Sequence, residues 1–314
     1  MRAKAAVPVN GEPLARRVIQ WLVASRVRDL VLNLHHRPAS IAAVVGDGAD
    51  LGARVRYSWE QPVLGSAGGP RHALSLLGDP FVLVNGDTLT DVNLAALAGE
   101  HHESRAAVTM ALIPNPHPDK YGGVRVSEDG WVTGFTRRGT PGESFHFIGV
   151  QIARASVFAP LQDGVAAESV TALYPRMIAE RPHSVRAFIS RASFQDIGTP
   201  ADYLRTCLEL AESEGNRLTA GVRSQIDDSA DVVRTAVWDD VTIGAHASLT
   251  DCVVADGASI PAGARYERAA IVPARSCEPE PGQWLDGNLL IAPLADSSGG
   301  SSGLPQPKDR HADR

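Results

Sequence analysis

The octet Phe81-Val82-Leu83-Val84-Asn85-Gly86-Asp87-Thr88 runs four apolar residues straight into a glycine and a carboxylate. Phe81 to Val84 is apolar on either side of a pleat, the form of a strand covered on both faces, as in a parallel sheet. Gly86 lets the backbone turn sharply, and Asp87 then arrives at the carboxyl end of the strand. In open α/β sheets that edge is where ligands bind. Asn-Gly-Asp is also ordinary turn chemistry, so the octet gains its meaning from its surroundings.

Upstream, helix and strand patterns alternate at short spacing. Leu14, Val18, Ile19, Leu22 and Val23 recur at helical intervals after the turn Asn10-Gly11-Glu12-Pro13. Residues 29–33 read as a strand, 38–45 as a helix and 55–59 as a second strand, and Arg71 to Leu77 reads as the helix leading into the octet. Downstream, residues 93–103 are helical, 106–113 are strand-like, and 121–135 form a hairpin around Asp129-Gly130. Residues 145–152 read as a further strand, 172–180 as a helix and 185–190 as extended chain. Thr199 is a candidate N-cap with Pro200 at the first helical position, opening a helix to about Ser213. This alternation predicts an α/β domain over residues 1–220: a Rossmann-like, mixed but mostly parallel sheet with helices on both faces.

From about Ile226 the pattern changes. Val237, Ile243, Leu249, Val254 and Ile260 recur at a six-residue step with one slip of a single residue, and Gly244, Gly257 and Gly263 sit beside the turns. This predicts a short left-handed β-helix of hexapeptide repeats over residues 225–292. Residues 296–314, rich in Ser, Gly and Pro, are expected to be disordered. The chain is 44% hydrophobic and 21% charged with a formal net charge of -6, which argues against a nucleic-acid partner yet permits a local cationic pocket. Cys207, Cys252 and Cys277 lack metal-ligand spacing, so neither a disulfide framework nor a zinc site is expected. No stretch reaches the length of a membrane span and no secretory signal is read, so the expected setting is the cytoplasm.

Several pieces fall in a telling order: Lys4-Ala-Ala-Val-Pro-Val-Asn-Gly-Glu-Pro-Leu14, Glu60 to Gly69, Val84-Asn-Gly-Asp87, Lys120-Tyr-Gly-Gly-Val124 and Asp196-Ile-Gly-Thr-Pro-Ala-Asp-Tyr203. Together, over roughly residues 3–210, they resemble the sugar-1-phosphate nucleotidyltransferases. The run Leu64-Gly-Ser-Ala-Gly-Gly69 is most similar to the mannose-1-phosphate guanylyltransferase branch. The resemblance implies in-line attack of a sugar-1-phosphate oxygen on the α-phosphate of a nucleoside triphosphate, with pyrophosphate leaving. Such a transfer asks for positioning and charge neutralisation more than covalent help. It implies Mg2+ at Asp87 and Asp196, an ion bound through one or two carboxylates plus substrate phosphates. A helix-dipole role near Thr199 stays open for Asp196. By the same resemblance Lys4 contacts phosphate, and Lys4, Asp87 and Arg138 form the catalytic group. The nucleotide site falls at Glu60, Leu64, Gly65, Ser66, Ala67, Gly68 and Gly86, and the sugar site at Tyr121, Gly122, Gly123 and Gly149. Glu60 also matches a position that lines the family's sugar pocket.

Two departures accompany the resemblance. The family opens with a buried strand and a glycine-rich loop that carries an arginine over the triphosphate, and residues 2–14 match the segment just after that loop. The natural coding sequence is therefore expected to begin further upstream. Phe135-Thr-Arg-Arg-Gly139 stands where relatives carry a glutamate–lysine pair, so Arg138 is expected to supply the phosphate-binding cation, while Arg137 leaves the acid's hydrogen bond unprovided. The implied partners are GTP with mannose-1-phosphate, or dTTP or UTP with glucose-1-phosphate, and the β-helix leaves homo-oligomerisation open. A non-catalytic sugar-nucleotide-binding regulator is the rival reading from another class, and a glycosyltransferase using Asp87 and Asp91 a weaker third. His35-His36 reads as a structural or phosphate-side strand end with too few neighbouring ligands for a metal, and His146, between Phe145 and Phe147, reads as packed rather than catalytic.

Overall fold

The computed structural model describes residues 2–215, 218, 220–274 and 278–294, so the tail from 296 and Cys277 lie outside the described residues. Helix α1 (Leu14–Ala24) buries Leu14, Val18, Ile19 and Leu22, the stripe that faces a core helix inward. Strands β1 (Asp29–Leu34) and β2 (Arg54–Trp59) pair in parallel, linked through α2 (Pro38–Val45). They form a two-stranded sheet of their own.

The helix expected at 71–77 lies earlier. Helix α3 spans Gly65–His72, and a 3-10 turn at Leu74–Leu76 follows it. A glycine-rich run has poor helical propensity, and tertiary contacts override it. The amides of Ala67 and Gly68 donate to the Ala167 carbonyl, and the Ala167 amide donates to the Leu64 carbonyl.

The octet then delivers β3 (Phe81–Val84) and β4 (Thr88–Thr90), followed by α4 (Leu94–Ser104), β5 (Val108–Pro114), β6 (Gly123–Val126), β7 (Val132–Thr136) and β8 (Phe145–Ala153). Helix α5 (Tyr174–Glu180), β9 (Val185–Ile189), β10 (Phe194–Asp196) and α6 (Pro200–Ser213) complete this part. The main sheet has the order β9-β5-β8-β6-β7, with β3 also paired to β8. Here the expected mostly parallel sheet is corrected. Within it β9–β5 is parallel, whereas β3, β5 and β6 all pair antiparallel to β8, and β6 pairs antiparallel to β7. Strand β3 is also less covered than its apolar run suggested: Phe81 is buried and the next three residues are half-buried.

The centre of the sheet is buried on both faces, as period-two alternation requires. On β5, Val108, Met110 and Leu112 enter one core with Phe158 and Tyr174, while Ala111 and Ile113 enter the other with α1 and α6. Fully burying a side chain such as Leu112 stabilises by roughly 1.5–3 kcal/mol.

Beyond α6 the short strands stack as three ladders of parallel strands: Gln225–Ile226 on Thr242–Ile243 on Ser259–Ile260, and likewise for the segments around Val232 and Val237. Equivalent positions on successive coils are 17 residues apart, as at Asp239 and Asp256. Two six-residue steps and one of five account for the single-residue slip in the sequence pattern. Ile243, Leu249, Val254 and Ile260 line the interior, and an antiparallel pair (Trp284–Asp286 with Leu289–Pro293) closes the last coil. Ala236 and Val253 join the α1–α6 core, and Trp238 Nε1 donates to the Tyr203 hydroxyl at 2.8 Å.

Candidate active site

Asp87 follows β3 and Asp196 ends β10, and the chain brings them side by side. Strand β10 pairs antiparallel with β4, placing Asp196 opposite Thr88. The Ile197 amide then donates to the Asp87 carbonyl at 3.3 Å. Gly86 turns the chain without entering the left-handed region, and a side chain there would meet nothing within 4 Å. Its value is open space beside Asp87.

Each aspartate has a lysine. Lys4 Nζ donates to Asp87 Oδ2 at 2.8 Å, with both side chains about two-fifths exposed. Lys120 Nζ lies 4.0 Å from Asp196 Oδ2 and straddles Asp202, at 3.0 and 3.1 Å from its two oxygens. Asp202 is fully buried, and its carboxylate also accepts from Thr199 Oγ1 at 2.9 Å and Arg205 Nη2 at 2.6 Å. Burial alone would raise the Asp202 carboxyl; bonds from Lys120, Arg205 and Thr199 outweigh it and hold the group below its ordinary value. Burial likewise opposes the Lys120 charge, and Tyr121 and Asp202 overcome it, so the ammonium is held above its ordinary value. Thr199 caps α6 by accepting from the Asp202 amide, as expected.

Of the residues expected on the sugar side, Tyr121 lies next to this pair. The Tyr121 hydroxyl donates to Asp196 Oδ2 at 3.4 Å, and its ring lies 4.3 Å from His146 and 5.7 Å from Phe194. Among the described residues neither ring nitrogen of His146 finds a hydrogen-bond partner of good geometry. Burial pushes its pKa down to about 4, against a weaker upward pull from the Gly122 backbone. The glycines here answer to the protein's own packing. A Cβ on Gly123 would lie 2.5 Å from Thr136 Oγ1, and one on Gly122 would lie 3.0 Å from the Thr136 carbonyl. Gly149, at φ +75°, occupies a break in register on β8, where a Cβ would strike the Asn85 side chain at 2.8 Å.

The Gly65–Gly69 run packs against residues 165–168. A Cβ on Gly65 would meet Glu168 Oε1 at 2.5 Å, and one on Gly68 would meet the Val165 carbonyl at 2.8 Å. Ser66 Oγ donates to Glu168 Oε2 at 2.7 Å, and Leu64 and Ala67 are buried. Gly69 differs: a Cβ there would lie 2.8 Å from Asn33 Nδ2 and 3.2 Å from Glu60 Oε2. Glu60 is 8% exposed, and its Oε2 has no hydrogen-bond partner among the described residues. The Glu60 carbonyl sits 2.9 Å from His35 Nδ1, which therefore carries the ring proton and ends β1 structurally. Arg138 is exposed in the turn after β7, apart from the aspartate pair's hydrogen bonds.

Among the described residues no three His, Cys, Asp or Glu side chains cluster for a metal. Two hard carboxylates on neighbouring strand ends fit a cation that takes the rest of its shell from water and phosphate, as magnesium does. Lys120 and Asp202 are site residues that the sequence motifs did not single out. Their signals were present: Lys120 precedes Tyr121, and Asp202 stands three residues after the Thr199 cap, where an acid closes a capping box.

The pattern of the Nucleotidyl transferase family matches residues 1–213, more than half of the chain, and the chain belongs to that family. It is an enzyme of the sugar-1-phosphate nucleotidyltransferase kind. Mannose-1-phosphate guanylyltransferase of Mycobacterium tuberculosis is 26% identical over 84% of this chain and 77% of its own length. N-acetylmuramate alpha-1-phosphate uridylyltransferase of Neisseria meningitidis is 30% identical over 62% of this chain and 84% of its own. Among solved structures, HddC from Yersinia pseudotuberculosis complexed with GMP-PN superposes with a TM-score of 0.58 at 20% identity, covering 66% of this chain and 89% of that one. That likeness concerns the fold. Among the described residues no helix is long and apolar enough to cross a membrane.

Proposed function

We propose that the chain transfers the guanylyl group of GTP to a hexose-1-phosphate, mannose-1-phosphate first, giving a GDP-sugar and pyrophosphate. The observation that carries this reading is the pairing of Asp87 and Asp196 on adjacent strand ends, each with its own lysine. Mg2+ bound between these carboxylates and the triphosphate would supply charge neutralisation at the α-phosphate. Lys4, exposed and bound to Asp87 through one carboxylate oxygen, can exchange that carboxylate for a phosphate oxygen. Tyr121, Gly122 and Gly123 at the start of β6 line the sugar side, and Arg138 offers a cation for the sugar phosphate. A sugar-phosphate oxygen attacks the α-phosphorus, the bond to the β-phosphate's bridging oxygen breaks, and pyrophosphate leaves with that electron pair.

Glu60 supports guanine. A carboxylate accepts hydrogen bonds and donates none. Guanine presents two adjacent donors, N1–H and N2–H2, to such a group. Uracil and thymine present a single N–H flanked by carbonyl oxygens, which a carboxylate repels. The orphaned Glu60 Oε2, next to Gly69, is an acceptor of this kind.

Two finer points belong to the same proposal. Residues 1–220 act as the transferase domain, and the coils over 225–292 wind as a left-handed β-helix that pairs copies of the chain. A monomeric mass by light scattering removes the pairing. The chemistry is tested by pyrophosphate release across a panel of nucleoside triphosphates and sugar 1-phosphates. GTP with mannose-1-phosphate should be the fastest pair. Faster release with UTP or dTTP overturns the guanine assignment, and binding of a nucleotide sugar without any release favours the non-catalytic regulator.

A further inference from the structure

The aspartates are compensated unequally. Lys4 meets Asp87 at 2.8 Å from an exposed position and uses one carboxylate oxygen. Lys120 is only a quarter exposed and is anchored on both oxygens of a fully buried carboxylate. It still stands 4.0 Å from Asp196 Oδ2, with Tyr121 against it on the ring side at 5.1 Å. Gly198 keeps the two carboxylates close: a Cβ there would lie 3.2 Å from Asp196 Oδ2 and 3.3 Å from Asp202 Oδ2. One ammonium thus stands between two carboxylates, bound to the buried one and held just out of contact with the other.

The geometry points to Lys120 as a positioning residue for the cation site: Asp202 holds its ammonium off Asp196, and so keeps Asp196 available to a divalent ion. The buried Asp202 carboxylate binds Lys120 through both oxygens and is also held by Arg205 and Thr199, so it is a fixed anchor for the ammonium. An ammonium that lost Asp202 would need to move only about 1 Å to bond Asp196 directly, given the ordinary N–H···O distance of about 2.9 Å. The two halves of the pair therefore act on the ion site with opposite sign. Removing the anchor alone blocks Asp196, and removing anchor and lysine together frees it of a repelling charge.

The inference rests on the proposed cation role of Asp196, and its test needs no turnover. Mn2+ binding to the full chain, followed by electron paramagnetic resonance without nucleotide, reads the site directly. Asp196→Asn sets the baseline by weakening Mn2+ binding. Asp202→Asn should weaken it about tenfold, a change of ~1.4 kcal/mol. The double variant Lys120→Met/Asp202→Asn, which removes both members of the pair, should bind Mn2+ more tightly than the wild type by several-fold. Lys120→Arg should stay close to the wild type. Should Asp202→Asn not fold, the double variant still decides. Mn2+ affinity within twofold of wild type, or weaker, in the double variant overturns the inference, as does wild-type binding indifferent to Asp196→Asn. If the opposite signs are found while pyrophosphate release is absent for every substrate pair, the inference stands and the proposed transfer reaction falls.

Discussion

The aspartate corner and the Glu60 corner solve the problem of a carboxylate near a ligand in opposite ways. Asp87 is bonded to Lys4 and Asp196 has Lys120 at 4.0 Å, both partly exposed, so each carboxylate already has an ammonium beside it. Glu60 is buried with one oxygen unpartnered among the described residues. An orphaned buried acceptor costs about 1–3 kcal/mol, a cost that a ligand bringing neutral N–H donors would remove. Compensated carboxylates suit an ion that comes and goes, whereas an uncompensated acceptor suits a base. Under the proposed reaction, the phosphate chemistry would fall to one corner and nucleotide choice to the other.

Asp87→Asn strikes that division hardest. It keeps the shape, removes the charge and leaves Lys4 without this partner. Pyrophosphate release should fall about 10²- to 10³-fold, the scale of losing one preorganised electrostatic group, with the order of preference among nucleotides unchanged. Steady-state rates with GTP and UTP in the variant check both halves. Retained turnover sinks the cation role of Asp87.

His146 is the exception on the aspartate side, because its ring nitrogens too lack a well-formed partner among the described residues. Its folded-state pKa of about 4 lies below the ordinary 6.5 of an unfolded chain. Above about pH 6.5 neither state is protonated there and no penalty arises. As pH falls from 6.5 toward 4 the unfolded chain takes up a proton that the folded chain refuses, so stability declines across that window. The ceiling is roughly 3 kcal/mol. His146→Phe, set among Tyr121 and Phe194, should flatten the slope of urea-unfolding stability between pH 6.5 and 4. An unchanged slope would place the acid sensitivity elsewhere.

Glu60→Gln tests the other corner. The amide offers one acceptor and one donor where guanine needs two acceptors. The GTP-to-UTP preference should drop about 10- to 100-fold, the worth of one charge-assisted hydrogen bond, while the Mg2+ dependence stays as it was. A change in Mg2+ dependence with an unaltered preference would merge the two corners into one site.

How much of the molecule was legible depended on how local each feature is. The repeat beyond α6 was readable because Val237, Ile243, Leu249 and their like recur at a six-residue step, and the parallel ladders found there are compatible with that reading. The octet announced its strand, and Asp87 follows the end of that strand as expected. Strand direction was not readable, since Phe81 to Val84 looks the same whether its neighbour runs parallel or, like β8, antiparallel. The Gly65–Gly69 helix was missed because its cause is distant: Ala167 and Glu168 lie about a hundred residues on. Lys120 escaped for the same reason, for its meaning comes from Asp202 across an 82-residue separation.

The smallest effects come from the two glycines that border the corners, and they sharpen the division most finely. Gly69 lies inside α3, so Gly69→Ala gains up to about 1 kcal/mol of helix propensity. The new Cβ must push aside the tip of Asn33, a flexible side chain, so net stability should change little. It also presses on Glu60 Oε2 at 3.2 Å, and KM for GTP should rise a few-fold with Mn2+ affinity unchanged. Gly198→Ala instead presses on two carboxylate oxygens at 3.2 and 3.3 Å, one of them on the fully buried Asp202. Overpacking of this kind costs about 1 kcal/mol, and Mn2+ affinity should fall a few-fold with nucleotide preference unchanged. The two variants are thus expected to fail in different assays, although each adds only one methyl group next to a carboxylate. If Gly69→Ala moved the cation isotherm, or Gly198→Ala moved the GTP-to-UTP ratio, the corners would be coupled through the bound nucleotide rather than divided between ion and base.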